Sequence, residues 1–187
     1  MTLYAVILFS HVAGAFFLFA GLTLEWLAIG YLRRNLEGGQ VVSWIHLLRI
    51  APLVYGPAIG VVLFSGGYLA WKMGGDQGWI FVSFMTLLVI GVTGAVFTRP
   101  RVRALKRESD KNAVGVSTLL QTRLHDPVLV ASVRLRVALV FGVVFLMVSK
   151  LNTRHSLVTI ACAIALGLIF ALPAWRRSEM QQARSVD

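Results

Sequence analysis

Five residues in the first apolar run carry the chemistry of this chain on one stripe. His11, Gly14, Leu18, Gly21 and Glu25 are separated by 3, 4, 3 and 4 positions, a spacing that aligns them along one face of an α-helix. The run is otherwise apolar from Leu3 to Tyr31. Hydrocarbon offers an imidazole or a carboxylate no partner, so this face is expected to turn toward neighbouring helices or a cofactor. His11 lies about 12 Å along the helix from Leu3. At that depth an imidazole can hold haem iron, and Gly14, one turn away, leaves room for a flat macrocycle with Leu18 a further turn along the same face. The plainer reading is that His11 donates a hydrogen bond to a neighbouring helix while Gly14 and Gly21 permit close packing.

Few other side chains reach the depth of His11 with a donor atom. Met85, Met147 and Cys162 do so at helical rise, and Lys150 and His155 sit higher, at the boundary. An imidazole with Met85, Met147 and Cys162 would suit copper(I), which favours soft sulfur ligands. With haem instead, Met85, Met147 or His155 could supply a second axial ligand. Glu25 lies about 33 Å from Leu3, near the opposite face of a membrane. The fourth apolar run contains Arg134 and Arg136, about 200° apart around a helix, so at most one of them faces the interior. An ion pair between Glu25 and Arg134 or Arg136 is therefore expected.

The elements that must position these residues are membrane helices. The chain has 187 residues, is 57% apolar and 14% charged, and has a mean hydropathy of +0.76. Several runs approach the ~20 apolar residues needed to cross a hydrocarbon core. The pattern predicts an all-α membrane protein of five transmembrane helices, at about 3–32, 52–71, 79–98, 127–150 and 156–175. They form one domain over 1–177, with a polar cytoplasmic tail from 178 to 187. Residues 41–50 read as an amphipathic turn lying at the membrane surface or leading into the second helix, and 99–126 as a basic helical extension followed by a loop. Asp126-Pro127 is an N-cap with proline at the first helical position.

With the N-terminus outside, fifteen Lys and Arg fall on the inner side and Lys72, Lys150 and Arg154 on the outer. That bias orients the chain with its C-terminus in the cytoplasm. The net charge of +10 thus encodes topology and contact with anionic lipid, and does not indicate nucleic acid. The single cysteine rules out an intrachain disulfide and CxxC motifs. Gly56 and Gly60 make a GxxxG that would allow a homodimer. No catalytic triad, phosphate-binding loop or paired-carboxylate site is present.

The segment His11-Val12-Ala13-Gly14 with its following aromatics and Gly21 resembles the first helix of a superfamily of small bacterial membrane proteins. That superfamily includes the copper-resistance D domain and the membrane-embedded, haem-binding protoporphyrinogen oxidase. Gly56-Pro57, the run from Ser65 to Trp71, Thr98-Arg99-Pro100-Arg101, and Asp126-Pro127 before Arg134 and Arg136 are similar to an uncharacterised integral-membrane family of the same kind. The resemblance covers about residues 3–152. It implies a four-helix bundle core with a fifth helix appended, in the bacterial inner membrane, and a first-helix histidine that ligates haem. Helix 3 here has no lysine, where the oxidase group carries an important one, so the likeness does not extend to that reaction. The expectation is a haem b-binding protein of redox or electron-transfer type with His11 as metal ligand and an electron-transfer partner. The alternative is a non-enzymatic copper-handling component or a structural subunit of a membrane assembly.

Overall fold

Each apolar run folds into a helix because a backbone in hydrocarbon must satisfy its own hydrogen bonds. The computed structural model describes residues 2–33, 38–74, 78–111 and 126–184. Helix α1 spans Leu3–Leu32 and α2 spans Gly38–Lys72. Helix α3 (Gly78–Thr93) passes through one π-helical turn (Gly94–Thr98) into α4 (Arg99–Lys111). Helices α5 (Pro127–Ser149) and α6 (Thr153–Arg184) complete the chain. Among the described residues five spans are long and apolar enough to cross a membrane. The protein is a helical membrane protein with α1, α2, α3 and α5 around the core and α6 packed mainly on α5. Taking the start of α1 as the top, the α2–α3 and α5–α6 connections also lie at the top.

Two boundaries differ from the sequence reading. The second helix was expected from residue 52, with the amphipathic segment before it either at the surface or leading into it; the segment leads into it, and α2 is continuous from Gly38 through Pro52 and Pro57. Val41, Ile45, Leu48 and Ala51 recur on one face and are buried. Packing of that face outweighs the backbone hydrogen bond that each internal proline removes. The last helix was expected to end near 175, with a polar tail from 178, yet α6 continues past Pro173 to Arg184. The loop expected between Lys111 and Asp126, and the tips of the short turns at 35–40 and 72–78, lie outside the described residues. Asp126 caps α5 as its sequence suggests, its side chain accepting from the Val128 N–H at 2.9 Å. Arg101 Nε donates to the same carboxylate at 2.7 Å and ties α4 to the start of α5.

The core divides into two apolar layers. The lower contains Ala28, Ile29, Leu32, Leu48 and Val133; the upper contains Leu18, Leu22, Ala58, Ile90 and Leu139. Helices α1 and α2 approach closely at Gly21. A Cβ there would stand 2.9 Å from Tyr55 Cβ and 3.2 Å from the Ala51 carbonyl oxygen. Of the GxxxG pair, a Cβ at Gly56 would stand 3.7 Å from Arg99 Nη2, whereas one at Gly60 would have nothing within 4 Å.

Gly21→Ala must push the α2 backbone away, and overpacking of this kind costs about 1–3 kcal/mol. Gly30 has open space where a Cβ would stand, so Gly30→Ala should be neutral or stabilising by up to about 1 kcal/mol through helix propensity. Thermal unfolding in detergent should separate the two, and equal effects would contradict this packing.

Candidate functional site

Between the two apolar layers lies a closed polar cluster. Glu25 on α1 and Arg136 on α5 are each 0% exposed, and Arg136 Nη2 is 2.9 Å from Glu25 Oε2. The guanidinium is held on four sides. Its Nε donates to the Ser132 carbonyl at 3.3 Å, Nη1 to the Tyr55 hydroxyl at 3.1 Å, and Nη2 to Thr98 Oγ1 at 2.9 Å. Thr98 and Ser132 share a hydrogen bond of 3.1 Å. The π-turn explains how α3 takes part. At Gly94 a Cβ would meet Arg136 Nη1 at 2.9 Å, so only glycine admits the guanidinium against the backbone. The widened turn also presents Thr98 toward α5. The contact with Glu25 is an ion pair and not an aligned hydrogen bond, and Glu25 Oε1 has no partner among the described residues. This arrangement can fix four helices in register. It lies about 21 Å along α1 from His11.

The second polar group lies near the top. His11 Nδ1 is 3.1 Å from Ser65 Oγ, and Ser65 Oγ donates to the Val61 carbonyl at 2.5 Å. With its proton on Val61, Ser65 can only accept from the imidazole. The proton of neutral His11 therefore sits on Nδ1, and Nε2 keeps its lone pair. Gly66 allows this approach, since a Cβ there would stand 3.0 Å from His11 Cε1. The imidazole borders a cavity of about 210 Å³ lined by α1, α2, α3 and α5. Its walls are almost wholly apolar and include Leu87, Trp79, Phe84, Met73 and Met147, with Ser83 among them. Ser83 is 4% exposed, and its hydroxyl has no hydrogen-bond partner among the described residues.

The structure brings some of the singled-out residues together and separates others. His11 and Met147 share the cavity. Met85 is 40% exposed on α3 and does not line it, and Cys162 is exposed on α6. Gly14 is covered by Val61 and Val62, whose side chains come within 3.1 and 3.0 Å of where its Cβ would stand. The space reserved there for a macrocycle is thus filled by α2, with Leu18 in the upper core. His155 is engaged by Asn152 at the start of α6. Glu25 is with Arg136, while Arg134 donates to the Phe170 carbonyl on α6. Sequence reasoning assigned Tyr55, Met73, Ser83 and Ser132 no role, and named Ser65 and Thr98 only as parts of the family-like motifs. The signal available for the hydroxyls was their presence within otherwise apolar runs.

Searches against protein-family models, curated proteins and solved structures give no match, so the site is read from its own geometry. Among the described residues no group of three or more His, Cys, Asp or Glu could hold a metal ion.

Arg136→Met strands the Glu25 carboxylate in an apolar interior, which typically costs about 3–5 kcal/mol. The double variant Glu25→Met with Arg136→Met removes both charges and should recover much of that loss. Arg134→Met should cost far less, because Arg134 is not buried. Thermal unfolding of the purified variants checks the order, and a double variant less stable than Arg136→Met would contradict the pairing.

Proposed function

We propose that this protein is a multi-pass membrane protein that binds a small, neutral, lipophilic ligand in the upper cavity, with His11 as its polar anchor. The observation that carries this reading is His11, an imidazole held by Ser65 in the wall of an otherwise apolar cavity. With Ser65 taking Nδ1–H, the other nitrogen would be the acceptor for a bound molecule. The distribution of Lys and Arg supports an orientation with the top outward. The cavity would then lie in the outer leaflet of the bacterial inner membrane, reached from lipid. The polar cluster below is closed, so it supports a binding role in preference to a passage across the membrane.

The haem b implied by the resemblance does not fit this cavity. A porphyrin exceeds a drug-sized ligand, which usually occupies about 300–1,000 Å³, whereas this space is about 210 Å³. Its propionates would need cations, and none of the described lining residues is cationic. Lys72, next to Met73, lies over the Trp71 ring at 5.2 Å. His11 has the chemistry of an axial ligand, but a porphyrin would have to extend beyond this cavity. Copper(I) is a second reading, favoured by one observation. Met73 and Met147 border the same cavity as His11, which gives an imidazole and two thioethers.

Native mass spectrometry and organic extraction of protein purified from membranes should test both readings. Wild type is expected to carry a small lipophilic molecule that His11→Phe lacks. If Met73→Leu with Met147→Leu keeps that molecule, the methionines act as apolar walls. Copper retained by wild type and lost in the double methionine variant would establish the second reading instead. No ligand in either wild type or His11→Phe, with no copper, would overturn both.

A further inference from the structure

The lower end of the bundle carries cations that no described acid answers. Of the acidic residues only Glu25 and Asp126 have described side chains, and they are committed to Arg136 and Arg101. Arg99, Arg103 and Arg107 are all exposed and have no hydrogen bond or ion pair among the described residues. Spaced four positions apart, they form one stripe along α4. Val102 and Leu105 bury the other side of that helix in the lower core, beside Ile45 and Leu48 of α2. A Cβ at Gly56 would stand 3.7 Å from Arg99 Nη2, so the stripe starts against α2. Arg49, also exposed, lies seven residues before Gly56 and on the same face of α2. The two helices run in opposite directions, which brings Arg49 to about the level of Arg107 by helical rise.

Position selects the anion. About 30 Å of helix, the thickness of a hydrocarbon core, separates Gly78 at the top from Arg99. Val92 and Val96, exposed apolar residues, lie just before the stripe in the chain, and Leu53, 71% exposed, lies one turn above Arg49. Both helices therefore pass from lipid-facing apolar side chains to exposed arginines at the depth where headgroup phosphates lie. A guanidinium fork matches a phosphate and forms paired, charge-assisted hydrogen bonds with it. A solvated topology signal needs only positive charge on one side, whereas these arginines share one face across two packed helices. We infer that this face is a binding site for a phospholipid of net negative charge, its phosphate held by Arg99 and Arg103 with Arg49 and Arg107 flanking them. The site lies at the opposite end of the bundle from the cavity and does not depend on the ligand reading above.

Dioleoylphosphatidylglycerol and dioleoylphosphatidylcholine share their chains and a phosphate and differ in net charge. Native mass spectrometry of the full chain, released from nanodiscs of an equal mixture, counts which lipid stays bound. Wild type is expected to retain the anionic lipid over the zwitterionic one at least about ten-fold, the scale of one charge-assisted hydrogen bond. Arg99→Gln with Arg103→Gln should erase most of that preference. Lys150→Gln with Arg154→Gln removes the same charge from exposed positions at the top and should keep it. Arg99→Lys with Arg103→Lys preserves the charge but not the fork, and should fall between wild type and the lower glutamine pair. Equal retention of both lipids by wild type would overturn the site and leave these cations to a partner in water. A lower glutamine pair no weaker than the upper one would also overturn it, since net charge alone would then account for binding. A lysine pair indistinguishable from wild type would overturn it in favour of diffuse attraction.

Discussion

A polar group inside a bilayer has only the partners its own chain supplies, and that constraint organises this protein at two depths. In the lower half it is met by enclosure. Arg136 is surrounded by Glu25, Tyr55, Thr98 and the Ser132 carbonyl, contributed by α1, α2, the π-turn and α5. A charge that needs partners from four elements at once sets the register of all of them. Buried ion pairs are weak sources of net stability but strong penalties when half of the pair is removed. The cluster thus acts against alternative packings of a bundle whose apolar faces would otherwise slide.

In the upper half the same constraint is met only in part. The imidazole of His11 is fixed at one nitrogen through Ser65 and Val61, and the hydroxyl of Ser83 has no protein partner among the described residues. His11 and Ser83 are both among the residues around a space that side chains do not fill. Gly66 is the backbone feature that makes this possible, because the imidazole lies where a larger residue's Cβ would collide. A cavity beside the polar groups distinguishes this end of the bundle from the cluster below, where the buried Glu25 carboxylate meets the Arg136 guanidinium directly.

Much of the frame was legible in the sequence, since length and hydropathy define membrane helices directly. The start of α1, the Asp126 cap and the burial of Glu25 with an α5 arginine follow from spacing and depth. Which arginine faces inward does not, because Arg134 and Arg136 differ only by the rotation that packing selects. The start of α2 was missed because Pro52 reads as a boundary, whereas the buried face of Val41, Ile45 and Leu48 carries the helix through it. The site was half legible. His11 and Met147 stand out by type and depth, but Met85 lies at a suitable depth on the wrong face of α3. Ser65, Met73 and Ser83 gain meaning only from tertiary placement, and the π-turn at Gly94 has no sequence period to announce it.

The central claim is that His11, in the cavity wall, is a neutral imidazole protonated on Nδ1 toward Ser65. Nitrogen-15 NMR of histidine-labelled protein in bilayers, with His11 identified as the signal lost in His11→Gln, reads this directly. The account predicts a protonated Nδ1 and a bare Nε2 in wild type, and loss of that tautomer preference in Ser65→Ala. An Nε2–H tautomer or an imidazolium in wild type would contradict it.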